Sequence, residues 1–562
     1  MNSSHGSRCR FSQLCSTVEV SASSGGASPP ANVPPVLKVK TLNSKKKVLL
    51  IGLDSAEPSL VHKWADEGHL PHLARLMNQG STASLQSAAA EFPDEVWPSI
   101  YTSRNSAQLG KYYYIQPKAG SSELELIDDA PRHGRQFWEI ASAAGSRCAV
   151  VDAPKTGLGP PLNGMQLANW GAHATRCETA SHPPDLVGRV IAKHGRYPLH
   201  SCDMHGLKPE EYRDLRSQLL DGVALRERLL IDLISSEPWG LFFCTFAETH
   251  CAGHQFWHLQ DPEHPRYDPE DRLGLRNAMR DVYQAVDKAI GSLVAAVGPD
   301  TSVLAFSGHG MRAQYHGRDL VPALLEFWGM SQSANTEPHA EPEREVTLKK
   351  TFLRTLKDNV PIQWQYVVKK MLPSKIEDMI ICRVMGAEKL DTSARASYVP
   401  NNDLTAAIRI NLKGRDPRGL VGPEEYDELC GWLTARFQEL INPATGEPAI
   451  DRVSVIHDTY EGEHLDRLPD LTALWSQESP IDALYSPGYG TVVGSHSDLR
   501  TGGHASKGFF IMQSPDGTRF DSPEGNAKDV APTVLSLLGV EIPEEMEGRS
   551  LVGHPVSSFP AT

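Results

Sequence analysis

Short apolar runs of strand type alternate with helical stretches along this chain, and this alternation limits the possible folds more than any other feature. The first run extends over 48–53, and similar runs follow at 148–153, 240–248 and 301–307. Strands separated by helices form parallel βαβ units with right-handed crossovers. We therefore predict an α/β protein in which helices connect the strands of a parallel sheet.

Length and local composition predict how the chain is divided. A chain of 562 residues is too long for one compact core. Residues 1–45 are rich in Ser, Gly, Pro and Asn, which predicts a disordered leader. The alternation is interrupted at 315–400, which predicts an inserted cap or lid, and it resumes from residue 406. We expect the core to comprise 46–314 and 401–555.

Charge and cysteine content argue against some classes of partner. The net charge of −14 argues against a nucleic-acid backbone, whose partners are basic, but permits an anionic substrate beside a metal ion. No apolar run approaches the roughly 20 residues that span a bilayer, so we expect no membrane partner. The nine cysteines are scattered without a CxxC pair, which predicts reduced thiols and a cytoplasmic location. The sequence does not indicate an oligomeric state.

Several common catalytic motifs are missing from the sequence. It contains no GxxxxGK(S/T) phosphate loop, no GxGxxG after a strand, no GxSxG elbow and no HExxH. The residues left to carry chemistry are histidines and aspartates at the ends of predicted strands. In parallel α/β sheets, ligands bind beyond the carboxyl ends of the strands. We therefore expect these strand-end residues to share one site.

Two of these histidines lie in the segment FAETHCAGHQFWH. His250 and His254 are four residues apart, so a helical turn places both imidazoles on one side. Zinc, manganese and iron are commonly held by such pairs. The alternative is that the two residues cap a helix, and the spacing alone does not decide between these interpretations.

Three further strand ends carry candidate ligands. Asp54 follows the first strand, and His309 lies between two glycines in FSGHGM. The segment SHSDLRTGGHASKGFFI offers His496 and His504 before another strand. Each has a structural alternative, such as a helix-capping aspartate or a simple glycine turn. Four strand ends that all carry Asp or His predict a shared metal site.

Longer segments of the chain resemble one protein family. They include VLLIGLDSAEPSLVHKW, FPDEVWPSIYTSRNSAQLGKYYY, FSGHGM, LPDLTALW and DVAPTVLSLLGVEIPEEMEGRSL. Over about 46–552 the chain is similar to the alkaline phosphatase superfamily, specifically to its type I phosphodiesterase/nucleotide pyrophosphatase branch. The resemblance implies an alkaline-phosphatase-like three-layer α/β/α sandwich with an inserted cap region. It also implies a phosphoester hydrolase that holds two divalent metals, usually zinc.

The resemblance assigns roles to particular residues and reveals three substitutions. The family's nucleophilic Thr or Ser falls on Val96, the first residue of an Asp-His ligand pair on Gly308, and the Asp of the other ligand set on His250. Valine forms neither an alkoxide nor a metal–ligand bond, so the family's covalent intermediate cannot form there. Fewer carboxylates also weaken the case for two bound dications. The ligand positions that are retained are Asp54, His254, His309 and His504.

Three functional hypotheses fit this set. The first is a metal-dependent hydrolase of a phosphoester or similar anionic ester, which a metal-bound water attacks and in which His250 and His309 are catalytic. The second is a mononuclear-metal enzyme with oxidative chemistry, and the third is a non-catalytic binding protein on the same scaffold. We expect one or two zinc ions, with iron or manganese as alternatives. The predicted metal ligands are Asp54, His250, His254, His309 and His504.

Other residues are candidates for the surroundings of the site. Ser99 and Thr102 carry hydroxyls, but their register displaces them from the position of the family's nucleophile. His258 lies beyond the ligand positions and is predicted to be structural. The candidates for the walls of the substrate pocket are Glu248, Tyr112–Tyr114, Arg318 and Lys507.

Overall fold

The computed structural model describes most of the chain. The described residues are 46–127, 134–171, 177–199, 207–330, 344–347, 390–402, 404–494 and 500–553. The predicted leader at 1–45, much of the predicted cap, and His496 lie outside them. The division into core and cap therefore stays a prediction.

Helices and strands occur throughout the described residues. The helices are α1 Pro58–Asp66, α2 Pro71–Gln79, α3 Val96–Thr102, α4 Ser106–Leu109, α5 Phe137–Ala143, α6 Leu186–His194, α7 Pro209–Ser236, α8 Glu248–Gln260, α9 Ala278–Val297, α10 Val321–Phe327, α11 Pro423–Gln438, α12 Ile456–Thr459 and α13 Val530–Leu538. The strands are β1 Lys47–Leu53, β2 Ser81–Gln86, β3 Ile115–Pro117, β4 Leu124–Leu126, β5 Cys148–Val151, β6 Gly164–Ala168, β7 Ala180–His182, β8 Leu241–Phe246, β9 Thr301–Ser307, β10 Gly310–Ala313, β11 Arg344–Thr347, β12 Ala396–Val399, β13 Thr405–Ile410, β14 Ile450–Val455, β15 Leu471–Trp475, β16 Ala483–Ser486, β17 Gly490–Val493, β18 Gly502–Ala505, β19 Lys507–Gln513 and β20 Glu524–Asn526.

A nine-stranded sheet has the order β20-β2-β19-β9-β1-β8-β5-β6-β7. Its central strands β9, β1, β8, β5 and β6 run parallel, and the helices that separate them in sequence cross over between them. Strands β19 and β7 are antiparallel to their neighbours β9 and β6. The parallel βαβ units predicted from the alternation are therefore confirmed, within a mixed sheet.

Both faces of this sheet are buried, as the continuous apolar runs require. Along β1, Leu49 and Ile51 pack into one hydrophobic core, whereas Val48 and Leu50 pack into another. Helices α1, α2, α7, α8 and α9 contribute side chains to the first core, and α3, α5 and α13 contribute to the second. The predicted three-layer α/β/α sandwich is confirmed.

The alternation that resumes at residue 406 does not extend the parallel sheet. Strands β12, β13, β15 and β14 form a separate antiparallel sheet, which packs against α10 and α11 through a third core. The connection from β12 to β13 is too short for a parallel crossover, which needs a dozen or more residues, so these strands pair antiparallel. The chain later returns to the large sheet through β19 and β20. Among the described helices, none is long and apolar enough to cross a membrane.

Candidate metal centre

The predicted ligands converge at one edge of the large sheet. Asp54 follows β1, His250 and His254 lie in the first two turns of α8 directly after β8, and His309 follows β9. These three strands are neighbours in the sheet. Strand β10, which follows His309, pairs antiparallel with β18, and this pairing brings His504 to the same edge. The strand-end rule therefore accounts for Asp54, His250, His254 and His309, and the β10–β18 pairing accounts for His504.

Three imidazoles form a close cluster within the described residues. One nitrogen each of His250, His254 and His504 lies within 4.8 Å of the others. The Nε2 atoms of His250 and His254 are 3.1 Å apart. Two nitrogen ligands of a tetrahedral zinc ion, each at 2.0–2.1 Å from it, are about 3.3 Å apart. His250 and His254 therefore have the spacing of two ligands on one ion, and His504 lies close enough to be the third.

The surroundings of these imidazoles suit a metal. His254 Nδ1 lies 2.6 Å from the carbonyl oxygen of Gly502, which only accepts, so Nδ1 carries the hydrogen and Nε2 keeps its lone pair. His504 Nε2 is buried and makes no hydrogen bond to any described residue. Burial, together with the neighbouring His309 and His254, keeps the pKa of His504 well below its usual range. The His254 ring is therefore oriented, and the His504 ring is neutral, as metal binding requires.

Asp54 and His309 are joined by a hydrogen-bonded bridge. The Ser55 hydroxyl lies 2.7 Å from His309 Nε2 and 3.4 Å from Asp54 Oδ1, and Trp97 Nε1 donates to the same Asp54 oxygen at 2.8 Å. We assign the Ser55 hydrogen to the carboxylate, so His309 Nε2 donates to the hydroxyl and Nδ1 is the basic nitrogen. His309 Nδ1 is buried and has no hydrogen-bond partner among the described residues, and its ring centroid is 4.8 Å from that of His504.

Burial controls the charge of this pair. It raises the pKa of the Asp54 carboxyl to about 6, against the lowering effects of the Trp97 hydrogen bond and the nearby Lys155 charge. It lowers the pKa of His309 to about 3. At neutral pH, Asp54 is therefore mostly ionised and His309 is neutral. Their predicted roles as ligand and catalyst stay predictions.

Two of the three substituted positions contact each other. Val96 begins α3 and is completely buried. A β-carbon at Gly308 would lie 2.7 Å from Val96 Cγ1 and 2.6 Å from Ile100 Cδ1, closer than β-carbons approach other atoms. A carboxylate side chain at position 308 would therefore collide with apolar groups. The third substituted residue, His250, belongs to the imidazole cluster.

The nearby hydroxyls of α3 are engaged elsewhere. Ser99 Oγ donates to the backbone oxygen of Val96 at 3.0 Å, and Thr102 Oγ1 donates to that of Pro98 at 2.8 Å. Both bonds run back along the same helix, as is usual for hydroxyls within helices. Both hydroxyls are thus engaged within α3.

Glu248 does not line the pocket, contrary to our expectation. Its side chain is completely buried, and Oε1 accepts from Arg226 Nε at 3.0 Å and from the Tyr197 hydroxyl at 2.6 Å. Arg226 Nη1 also donates to Asp152 Oδ2 at 2.6 Å. A buried ionic network therefore fixes the first residue of α8, the helix that carries His250.

Two other predictions concern His258, near the end of α8, and the aromatic segment Tyr112–Tyr114. His258, predicted to be structural, is buried with Nδ1 3.1 Å from Thr501 Oγ1. Tyr112 is also completely buried, and its ring packs against Phe92. Lys507 is exposed at the start of β19.

The structure also reveals residues that sequence reasoning missed. Ser55 adopts a left-handed backbone conformation with φ 54°, and Trp97 contacts Asp54. Lys155 lies close enough for its charge to influence Asp54 and His504. Lys155 follows β5, so the same strand-end rule would have identified it. No sequence signal indicated the direction of the Ser55 or Trp97 side chain.

Comparison with known proteins identifies the class and then the family. An α/β/α sandwich with three clustered histidines at one sheet edge has the ligand types of a metal-dependent enzyme. Residues 48–496 match the sequence model of the type I phosphodiesterase/nucleotide pyrophosphatase family, and the chain belongs to this family. Membership supports a hydrolase that depends on a divalent metal.

Several solved structures are similar to this chain at low identity. Phosphonoacetate hydrolase from Sinorhizobium meliloti 1021, in complex with phosphonoformate, is 16% identical with a TM-score of 0.47, over 88% of this chain and 96% of that chain. Murine ectonucleotide pyrophosphatase/phosphodiesterase 5 is 14% identical with a TM-score of 0.44, over 90% of this chain and 100% of that chain. No curated protein sequence matches the chain.

Proposed function

We propose that this chain hydrolyses a phosphoester or similar anionic ester with one metal ion held by His250, His254 and His504. The observation that carries the proposal is the cluster itself, three imidazoles whose nitrogens lie within 4.8 Å of one another. A divalent metal in such a site lowers the pKa of bound water towards neutrality, which removes the need for a side-chain nucleophile.

The residues around the cluster would position and deprotonate the attacking water. The Gly502 carbonyl orients His254 through its 2.6 Å contact with Nδ1. His309 Nδ1 is the candidate proton acceptor, since Nε2 is engaged by Ser55 and Nδ1 has no hydrogen-bond partner among the described residues. Asp54 accepts from Ser55 and so holds the His309 ring in this tautomer.

The donor set favours zinc and a single ion. Imidazole nitrogen is a good ligand for zinc, and three protein ligands with an open position are typical of catalytic zinc. The resemblance places Val96 at the family's nucleophile and Gly308 at the first residue of its Asp-His ligand pair. The neighbourhood of these two residues is apolar. Iron or manganese remain alternatives that metal analysis distinguishes. We also propose a cytoplasmic location, which is supported by the scattered cysteines.

The test combines metal analysis with hydrolysis of bis(p-nitrophenyl) phosphate. Wild-type protein should contain about one equivalent of zinc, and His254→Ala should lose both the metal and most of the hydrolysis. His62→Ala, at an exposed position of α1, is the matched control and should retain both. Protein without metal, or hydrolysis that survives removal of the metal, would contradict the proposal. Metal without hydrolysis would favour a binding protein, and oxygen consumption would favour oxidative chemistry.

A further inference from the structure

Lys155 is a cation at the sheet edge that carries the predicted metal ligands. It follows β5, and its Nζ lies 3.0 Å from Asp94 Oδ1, with 24% of the lysine side chain exposed. The residue adopts a left-handed backbone conformation with φ 53°. This conformation is costly for a residue with a β-carbon, and such strain is concentrated at functional sites.

The charge of Lys155 reaches two of the predicted ligands. Burial is the main influence on both, raising the pKa of Asp54 to about 6 and lowering that of His504. The Lys155 charge opposes the first shift and adds to the second. The geometry agrees with this placement: β5 is the neighbour of β8 in the sheet, and Asp94, the partner of Lys155, lies three residues before Trp97, whose Nε1 donates to Asp54.

The transition state of phosphoryl transfer spreads negative charge over several phosphoryl oxygens, and positive groups beside them stabilise it. Members of this family are expected to supply that charge with two metals, but Val96 and Ile100 fill the space beside Gly308. We infer that Lys155 supplies the second positive charge by binding a non-bridging oxygen of the anionic substrate. This inference rests on the proposed function, because it concerns the substrate of that site.

Asp94 positions the lysine. It lies in the 3-10 turn Pro93–Glu95 directly before α3, and it is buried. Its Oδ1 contacts Lys155, while Oδ2 is buried and has no hydrogen-bond partner among the described residues. The contact with the buried Asp94 carboxylate therefore orients the Lys155 ammonium group.

The alternative is an ion pair that only fastens the loop after β5 to the turn before α3. Anion binding separates the two roles. The probe is inorganic phosphate, measured by isothermal titration calorimetry on protein freed of unbound metal by dialysis. The variants are Lys155→Met, Lys155→Arg and Asp94→Asn. Arg500→Met removes another cation whose charge influences His504, and Lys288→Met on the exposed face of α9 is the matched control.

Loss of a charge-assisted hydrogen bond predicts phosphate binding about 10- to 100-fold weaker in Lys155→Met, at unchanged metal content. Lys155→Arg should remain within about threefold of wild type because it retains the charge, and Lys288→Met should match wild type. Asp94→Asn should fall between Lys155→Met and wild type. If the ion pair is only structural, its removal should lower the midpoint of thermal unfolding without changing phosphate affinity.

The inference is overturned if wild-type protein does not bind phosphate, or if Lys155→Met binds it with wild-type affinity. It is also overturned if Arg500→Met weakens binding and Lys155→Met does not. These outcomes are independent of the proposed hydrolysis. Protein that binds phosphate through Lys155 but hydrolyses no ester supports the inference and contradicts the proposed function. Hydrolysis with no effect of Lys155→Met on phosphate affinity supports the proposed function and contradicts the inference.

Discussion

Val96 and Gly308 depend on each other, because a β-carbon at position 308 would lie 2.7 Å from Cγ1 of Val96. The side chain that fits at either position therefore depends on the other. The two positions form an apolar contact at the second core, next to His309, whose ring neighbours His504 of the imidazole cluster.

We predict that Gly308→Ala destabilises the protein by about 1–3 kcal/mol, because the added methyl overlaps Val96 and Ile100. With Val96→Ala as background, the same change should cost at least about 1 kcal/mol less. Urea unfolding of the four proteins in this cycle measures the coupling. Gly431→Ala is the control, since its β-carbon would enter open space on α11, and it should stabilise by about 0.5–1 kcal/mol. Additive effects of the two substitutions would contradict the contact.

Glu95 should make stability fall as pH rises. Burial raises the pKa of its carboxyl from 4.5 to about 7, although the Ser106 amide donates to Oε2. Between these values the folded protein binds more protons than the unfolded chain, so the free energy of unfolding decreases by about 3 kcal/mol and then levels off.

Glu95→Gln removes this titration. The unfolding free energy of the variant minus that of wild type should be larger at pH 8 than at pH 5. Urea unfolding of both proteins at both pH values measures this difference. Glu447→Gln, at an exposed position, should show no such difference. A difference of the opposite sign would show that the carboxyl is stabilised as the anion.

Arg226→Met should cost about 3–5 kcal/mol of unfolding free energy, because it leaves the buried carboxylates of Asp152 and Glu248 without their cation. Since Glu248 begins α8, zinc affinity should also fall by about 10- to 100-fold. The matched control is Arg216→Met on the same helix, whose ion pair with Asp281 is partly exposed and should contribute less than about 1 kcal/mol. Equal effects of the two variants would contradict the role of the buried network.

Ser55 provides a test of backbone strain at the centre. Ser55→Ala and Ser55→Gly both remove the hydroxyl that bridges His309 and Asp54, so both should reduce hydrolysis. Only glycine relieves the left-handed conformation at φ 54°, so Ser55→Gly should be about 1 kcal/mol more stable than Ser55→Ala. Thermal unfolding of the two variants measures this difference, and equal stability would argue against strain at this position.

Local sequence patterns predicted much of the fold. Strands β1, β8 and β9 were found as apolar runs because both of their faces are buried. The run LTALW matches β15, but the sheet to which it belongs could not be predicted, since strand partners depend on contacts distant in sequence.

At the candidate metal centre, too, local relations could be predicted and long-range ones could not. The spacing of His250 and His254 placed both rings on one side of a helix because that relation is local. The direction of a side chain at a strand end depends on the neighbouring strands. For this reason Glu248 was predicted for the pocket and instead faces Arg226.

The central claim is that one metal ion is held by three imidazoles, and zinc K-edge X-ray absorption of the zinc-loaded protein tests it most directly. We predict a first shell of three imidazole nitrogens at about 2.0 Å with one oxygen, and no metal–metal scattering. Replacement of His504 by alanine should reduce the number of imidazoles by one. Two equivalents of zinc with a metal–metal distance of about 3.5–4 Å would contradict the single-ion site.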